Sequence, residues 1–514
     1  VRTIWTDAYR DPVLHSPQLL ALQRRLRLVY DSRYTGWLLL ALGILRAAVF
    51  LIAYAPAHGA DSADYFLYAS QFKGLDAPIV FALIYPLYPI LIYLSHYVLG
   101  SIYFLIGLQL IFSALQGLLF YIGLRPYSPA LGFLVALVVI GDAQTGILYN
   151  FTSTEPPYMF ALSLTFCVFL VQLKRPSTRR LQKGDVLLGV LLALTLLLRP
   201  VGRYLIVPFA VLFLLGTRSW WRTAVTIASY ALALTVFTLF NQVIFDRFEL
   251  NGGGNFMLNR PLVLSGLLEA DNGPASARII EMRGQCEKGE TYNRCMIRQM
   301  GDWPSVQALY SQAYQEMLKK HPVKFGQQVF EEFTDFLSLP GQQYKGRITP
   351  SQVQCEDIDT TVARDVQKYL EKDWILYGDS QVSAGTLEPI IRDITTAMCP
   401  PLPESWPVRR GVDWVAFHYR SLSRPHPYLW YGALGVLVLV IPWARRRLLI
   451  PVLMAGAILA NHAAASAMVL NVQPRYIAIM NPYKGFLLLA LLGIVGWIAV
   501  RIVDGWLARR AARI

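Results

Sequence analysis

The sequence predicts a mostly α-helical, polytopic membrane protein, and three observations carry that prediction. Hydrophobic residue types make up 55% of the 514 residues and charged types 16%, which is more apolar and less charged than an ordinary soluble domain. Ten apolar runs recur along the chain, at about 37–55, 101–123, 130–149, 157–173, 186–199, 203–216, 223–245, 428–443, 448–470 and 485–503. Lys and Arg gather between these runs in a pattern that fits one side of a bilayer. Mean hydropathy is +0.40. A straight helical span needs roughly 20 residues, so the shorter runs predict tilted or broken helices.

Residues 1–36 are polar and basic, and the run that follows is too long and wrongly flanked for a cleavable signal peptide, so none is expected. Within this segment SPQLLALQRRLRLVY, residues 16–30, has Ser and Pro at a helix start and Leu along one face. It predicts a cytoplasmic helix lying in the membrane interface.

Orientation follows from the basic residues. Segments 1–36, 124–129, 174–185, 217–222, 444–447 and 501–514 hold 21 basic and 5 acidic residues, whereas the remainder holds 26 and 28. The whole net charge of +14 therefore belongs to segments that fall on one side if residues 56–100 form a single external loop. The positive-inside rule makes that side cytoplasmic, with both termini on it. A pI of 9.5 then needs no nucleic-acid partner, because no basic patch interleaved with aromatics remains elsewhere. The stretch IVFALIYPLYPILIYLSHYVLG at 79–100 is apolar enough for an eleventh span, but counting it as one would put the KRPSTRR and ARRR clusters outside. It is read instead as helices along the interface, where Tyr is favoured.

Residues 246–427 form the expected extracytoplasmic domain, between the spans of 37–245 and those of 428–503; residues 504–514 are the cytoplasmic tail. The domain carries Cys286, Cys295, Cys355 and Cys399, while Cys167 sits inside a span. In an oxidising compartment four cysteines read as two disulfides. Three pairings are open, 286–295 with 355–399 being the simplest, and zinc is the rival despite the absence of CxxC spacing. NGGGN at 251–255 has no lysine or helix start after it, so it reads as a linker and not a phosphate loop.

The chemistry-bearing residues lie at the external ends of the spans. PAHGADSADYFLYA, residues 56–69, places Asp61 and Asp64 where the first span leaves the bilayer. DSADYFLYA resembles the D-S-x-x-Y-x-x-x-A signature in the first external loop of GT-C membrane glycosyltransferases, the group that includes aminoarabinose transferases of lipid A and protein O-mannosyltransferases. YPLYPILIYL is similar to the P-L-Y-P run of the same loop, and TSTEPPYMF at 152–160 to the acidic-Pro motif opening the fourth span. LLLRPVG at 196–202 resembles the R-P or K-G turn of the fifth, and QPRYIAIMNP at 473–482 the R-Y-x-x-P element before the last helix. HPVKF at 321–325 is similar to a juxtamembrane helix start in the external domain. The resemblance covers most of 37–245 and 428–503, with five motifs in order on one predicted face.

It implies a GT-C-like transmembrane bundle in the cell (inner) membrane, with its active face toward the periplasm or cell exterior. The implied reaction passes one sugar from a polyprenyl-phosphate donor to an acceptor hydroxyl on a glycan, lipid or protein, with inversion. A carboxylate must deprotonate that hydroxyl, a step worth roughly 10²–10⁴ in rate. Asp61 fits the signature spacing; Asp64 is the alternative, as base or as partner to a cation. Arg199 and Arg475 are the expected partners of the donor phosphate; for Arg199, snorkelling to a headgroup is the plain alternative. Glu155 either binds the acceptor or pairs with an arginine. Tyr65, Tyr85, Tyr88 and Tyr476 are expected to line the substrate site; the first three either stack on sugar or anchor in the interface. His58 and His96 either reach the phosphate or are merely solvated. No cofactor is expected: no acidic cluster demands a divalent metal, and the resemblance divides on one, oligosaccharide-transferring relatives using it and monosaccharide-transferring ones not.

Arg46, midway along the first span, should face the bundle interior. Asn150-Phe151-Thr152 is a formal glycosylation sequon too near the membrane to be used. Two other classes fit part of this pattern. A secondary transporter would place its charges near the midplane in repeated halves, whereas here the acids gather at one surface and no internal repeat is visible. A non-enzymatic receptor or scaffold would work through the external domain alone.

Overall fold

A computed structural model describes residues 17–53, 57–58, 62–72, 85, 87–176, 181–245, 248, 250, 259–287, 292–301, 303–338, 427–470 and 474–511, with short pieces between 359 and 396. The protein is a helical membrane bundle. Among the described residues seven helical segments are long and apolar enough to cross a membrane: Thr35–Ile52, Tyr103–Leu124, Glu155–Leu173, Pro200–Thr217, Trp220–Val243, Pro442–Met468 and Asn481–Leu507.

In chain order the first half comprises α1 Pro17–Tyr30, α2 Thr35–Ala53, α3 Ser62–Gln71, α4 Leu87–Ile92, α5 Tyr103–Leu124, α6 Pro129–Gly141, α7 Ala143–Leu148, α8 Glu155–Leu173, α9 Lys183–Leu198, α10 Ile206–Thr217 and α11 Trp220–Phe245. The 246–427 segment holds α12 Asn259–Leu264, α13 Pro274–Gly284, α14 Tyr292–Met300, α15 Trp303–Lys320 and α16 Pro322–Ser338. The chain ends with α17 Pro427–Val440, α18 Pro442–Met468, α19 Pro474–Ile479 and α20 Asn481–Ala511.

Each predicted apolar run lies on a helix, but three differ in detail. The run 130–149 breaks at Asp142, whose carboxylate accepts from Gln144 N and caps α7 as α6 ends. The run 203–216 opens as a 3₁₀ turn, Pro200–Leu205, since residues 199–200 are Arg-Pro and proline forces its predecessor out of the α region. Arg445, Arg446 and Arg447, expected in a loop, are helical: the chain turns at extended Ile441, and Pro442 starts α18 immediately.

Helices α2 and α5 are antiparallel. Tyr121 Oη donates to Tyr30 O at 3.1 Å, Gly43 lies against the backbone of Ala114, and Arg46 donates to Ser113 Oγ at 3.2 Å. A Cβ on Gly43 would sit 2.1 Å from Ala114 O, so this approach needs glycine. The end of α2 at Ala53 and the start of α5 at Tyr103 therefore lie at the same end of the bundle. Helix α4 runs on as a π-helical turn, Tyr93–Val98; its 12 residues Leu87–Val98 span only about 18 Å at 1.5 Å per residue, well short of a membrane.

The basic clusters share the other end. Arg125 pairs with Asp31 at 3.1 Å, and Lys174 lies over Tyr127 at 4.1 Å. Gly216 touches Leu173 and Ile450, drawing α8, α10 and α18 together. Arg222 Nη2 and Nε reach the two carboxylate oxygens of Asp185 at 2.7 and 2.8 Å, and further bonds go to the carbonyls of Gln172 and Arg175. Arg222 is 0% and Asp185 1% exposed, so this is a buried clamp joining α8, α9 and α11.

The main core runs from Phe120 on α5 through Tyr158, Phe166 and Leu192 to Ile494 on α20. A second core packs α12 to α16 around Ile279, Tyr310 and Phe325. Helix α16 belongs to both, Phe325 to the second and Phe336 to the first, and Lys484 Nζ donates to Phe336 O at 3.2 Å. Cys286 and Cys295 form a disulfide, as in the simplest of the three open pairings, and Cys167 is free and buried in α8. Cys355, Cys399 and the NGGGN run lie outside the described residues. Helix α1 forms as predicted and exposes Leu22, Leu26, Leu28 and Val29.

Candidate functional site

The opening of α8 organises the site. Asn150 is buried with its amide donating to Phe50 O at 3.0 Å, which takes the sequon out of use. Phe151 and Thr152 then form a two-residue parallel pairing with Ala57 and His58. Ser62 Oγ donates to Thr152 O at 2.6 Å, and Thr152 Oγ1 to Ser62 Oγ at 3.1 Å. These bonds dock the first-loop helix α3 onto the TSTEPP segment, 90 residues later in the chain. Glu155 is the first residue of α8, followed by Pro156; both suit a helix N-terminus, where proline loses no hydrogen bond and the macrodipole favours negative charge.

Glu155 Oε1 lies 2.8 Å from Arg199 Nη1, with side chains 2% and 14% exposed. Arg199 stands where α9 ends, its extended backbone dictated by Pro200. The guanidinium carbon sits 4.8 Å from the ring centroid of Tyr476 and 5.9 Å from that of Tyr158. Such contacts hold a cation by its faces. Tyr158 Oη is 2.7 Å from His462 Nε2, and His462 Nδ1 is 2.8 Å from Ile458 O. Next to it Asn461 donates to Val201 O at 2.9 Å, fixing the 3₁₀ turn beyond Arg199.

The first loop covers this pair. Tyr65 Oη is 3.4 Å from Thr154 Oγ1, and its ring meets Tyr88 edge-on at 5.1 Å. Tyr88 is 0% exposed and donates to Gln109 Oε1 at 3.3 Å. Gln109 in turn donates to Tyr149 O and Phe151 O, both at 2.9 Å. The ring of Tyr88 therefore packs inside the protein and does not face the bilayer. Tyr85 is also buried, bonded to Arg203. His96 is half-buried, its ring edge-on to Phe66 and Tyr97.

Of the predicted site residues, the structure brings Tyr65, Tyr88, Glu155, Arg199 and Tyr476 together. Asp61 lies outside the described residues, and Asp64, His58 and Arg475 are described in backbone only, on α3, β1 (Ala57–His58) and α19. Arg46 faces the interior, as its position demanded: it is buried and donates to Thr145 Oγ1 at 2.6 Å and Asp142 O at 3.0 Å.

Sequence reasoning passed over Tyr158, Asn461, His462 and Gln109. A signal existed for two of them. Asn461-His462 interrupts the apolar run LMAGAILANHAAASAMV, and a histidine inside a membrane span is costly enough to mark a functional position.

No protein-family model and no curated protein matches the chain. Among solved structures the chain is similar to ArnT from Cupriavidus metallidurans bound to undecaprenyl phosphate, at 15% identity over 90% of this chain and 79% of that one. The TM-score is 0.33, a likeness that carries no argument about function, so the site stands on its own residues.

Proposed function

We propose that this protein is a membrane glycosyltransferase of the GT-C type, which transfers a single sugar from a polyprenyl-phosphate donor to an acceptor hydroxyl at the bundle end remote from the basic clusters. One observation carries the reading. The acidic-Pro, Arg-Pro and Arg-Tyr motifs, distant in sequence, meet at the Glu155–Arg199 pair, flanked by Tyr476 and covered by the first-loop tyrosine Tyr65.

In this proposal Arg199, with Arg475 beside Tyr476, takes the donor phosphate, as fixed positive charge is what a phosphate leaving group requires. Asp61, or Asp64 in the first turn of α3, removes the proton from the acceptor hydroxyl. The hydroxyl oxygen attacks the anomeric carbon, the bond from that carbon to the phosphate oxygen breaks, and its electron pair leaves with polyprenyl phosphate. Attack opposite the leaving group inverts the anomeric centre. Glu155 holds Arg199 in register and contributes an acceptor for a substrate hydroxyl. The second core over α12 to α16 stands on the extracytoplasmic side, where the acceptor arrives.

The test uses purified protein with a labelled polyprenyl-phosphate sugar and an envelope-lipid acceptor extract. Release of polyprenyl phosphate with label moving into the acceptor supports the proposal. Uptake of an intact sugar by proteoliposomes, with no release, would instead indicate a transporter.

A further inference from the structure

We infer that His462 is a positioning residue for the cation of this site, acting through Tyr158, with the adjacent Asn461 holding the backbone just beyond Arg199; the inference rests on the reading of Arg199 as the donor-phosphate ligand. A carbonyl oxygen only accepts, so the 2.8 Å contact with Ile458 O puts a proton on His462 Nδ1. In the neutral ring Nε2 is then an acceptor, and the Tyr158 hydroxyl donates to it at 2.7 Å. The Ile458 backbone carbonyl on α18 thus fixes the imidazole, and the imidazole fixes the phenol.

That phenol matters because its ring centroid lies 5.9 Å from the Arg199 guanidinium carbon, which also lies 4.8 Å from that of Tyr476. Asn461 donates to Val201 O, two residues past Arg199, and so sets the backbone from which the guanidinium projects. Two consecutive residues of α18 therefore govern one arginine on α9, one through its backbone and one through an aromatic face. Tyr158 and His462 are buried, 0% and 3% exposed, so each hydroxyl or ring nitrogen left without its partner would be an unsatisfied buried group. A guanidinium whose aromatic wall can swing loses orientation before it loses charge. The effect falls on bidentate recognition of an oxyanion such as a phosphate by the planar guanidinium.

The experiment measures binding of polyprenyl phosphate to the full-length protein in nanodiscs, for the wild type, Tyr158→Phe, His462→Ala, His462→Gln and the Tyr158→Phe/His462→Ala pair. Each of the first two substitutions should weaken binding about tenfold, the factor equivalent to 1.4 kcal/mol. The double variant should be no weaker than the worse single, because both remove one link. His462→Gln, whose side-chain oxygen accepts the same phenol, should restore affinity to within about threefold. In turnover the loss should fall on the donor KM more than on kcat. Unchanged affinity in a folded Tyr158→Phe protein, or full additivity in the double variant, overturns the inference.

The isosteric Tyr158→Phe change keeps the test alive if His462→Ala does not fold. A wild type that binds no polyprenyl phosphate would remove the functional reading. The link itself is then read from ¹⁵N-histidine spectra. The inference requires His462 as the Nδ1–H tautomer, with an Nε2 shift that moves in Tyr158→Phe; an Nε2–H tautomer overturns it in either case.

Discussion

Replacing Arg199 with alanine separates the energetic role of the buried pair from its chemical one. Glu155 is 2% exposed and its carboxylate lies 2.8 Å from the guanidinium. Removing Arg199 strands a negative charge in the protein, and breaking a buried pair from one side typically costs about 3–5 kcal/mol. Stacking against Tyr476 and Tyr158 adds to the loss, at roughly 0.5–2 kcal/mol for a cation on an aromatic face. Glu155→Gln alone strands the arginine instead, but at 14% exposure that arginine retains some water and the cost should be smaller.

The combination is the informative variant. Arg199→Ala with Glu155→Gln leaves no uncompensated charge, so it should recover most of the stability that Arg199→Ala loses, a coupling of at least about 2 kcal/mol in a double-mutant cycle. Thermal or denaturant unfolding in detergent, followed by tryptophan fluorescence, gives the stabilities. Binding of polyprenyl phosphate gives the second reading, and here the double variant should remain as poor as Arg199→Ala, because no cation has been restored. If the double variant recovers donor binding, Arg199 is not the phosphate ligand. If it recovers no stability, the ion pair is not what Arg199 contributes to the fold.

Four further expectations follow from the same geometry. Asp185→Ala strands Arg222, which is 0% exposed, and should cost about 3–5 kcal/mol without altering affinity for polyprenyl phosphate, measured on the folded fraction. Cysteines placed at 177 and at the exposed position of Asp271 should label from opposite faces of sealed vesicles; labelling from one face refutes the proposed orientation. Opening the Cys286–Cys295 bridge by serine substitution should lower the stability of the α12–α16 unit by about 2–4 kcal/mol, visible as faster amide exchange across α13 and α14. Asp61→Asn should slow transfer roughly 10²-fold or more while donor binding survives, and Asp64→Asn should cost less; near-normal turnover in both variants removes the carboxylate from the mechanism.

What was legible in the sequence is what local physics decides. Apolar runs fix helices, prolines fix where they start, and Arg-Pro fixes the extended residue at the end of α9, so Arg199 could be placed at a helix end from sequence alone. Its partner could only be narrowed to the acidic residues near the same predicted face, since Glu155 and Arg199, 44 positions apart, are brought together by packing of α8 on α9. The helical Arg445–Arg447 segment was misread because three arginines look like a loop, whereas one extended residue, Ile441, suffices to turn the chain. Tyr88 was read as either a sugar-stacking ring or an interface anchor, and the interface alternative fails because the ring is buried, with Gln109, a polar residue inside α5, supplying the acceptor its hydroxyl needs. No pattern in the sequence ties residue 88 to residue 109.

The two arginines that pair with acids at opposite ends of the bundle show how one chemical motif serves two ends. Arg222 is wholly enclosed, and its donors go to both oxygens of Asp185 and to the carbonyls of Gln172 and Arg175, groups that cannot leave. An arginine so held is a fixed strut, and nothing charged can approach it. Arg199 is 14% exposed, has one carboxylate oxygen at 2.8 Å, and is steadied by the faces of Tyr476 and Tyr158. At 14% exposure Arg199 is open to an approaching anion, whereas Arg222 at 0% is closed to one. Under the proposed function the end of the bundle carrying Arg199 therefore takes the donor phosphate, and the end carrying Arg222 holds α8, α9 and α11 together.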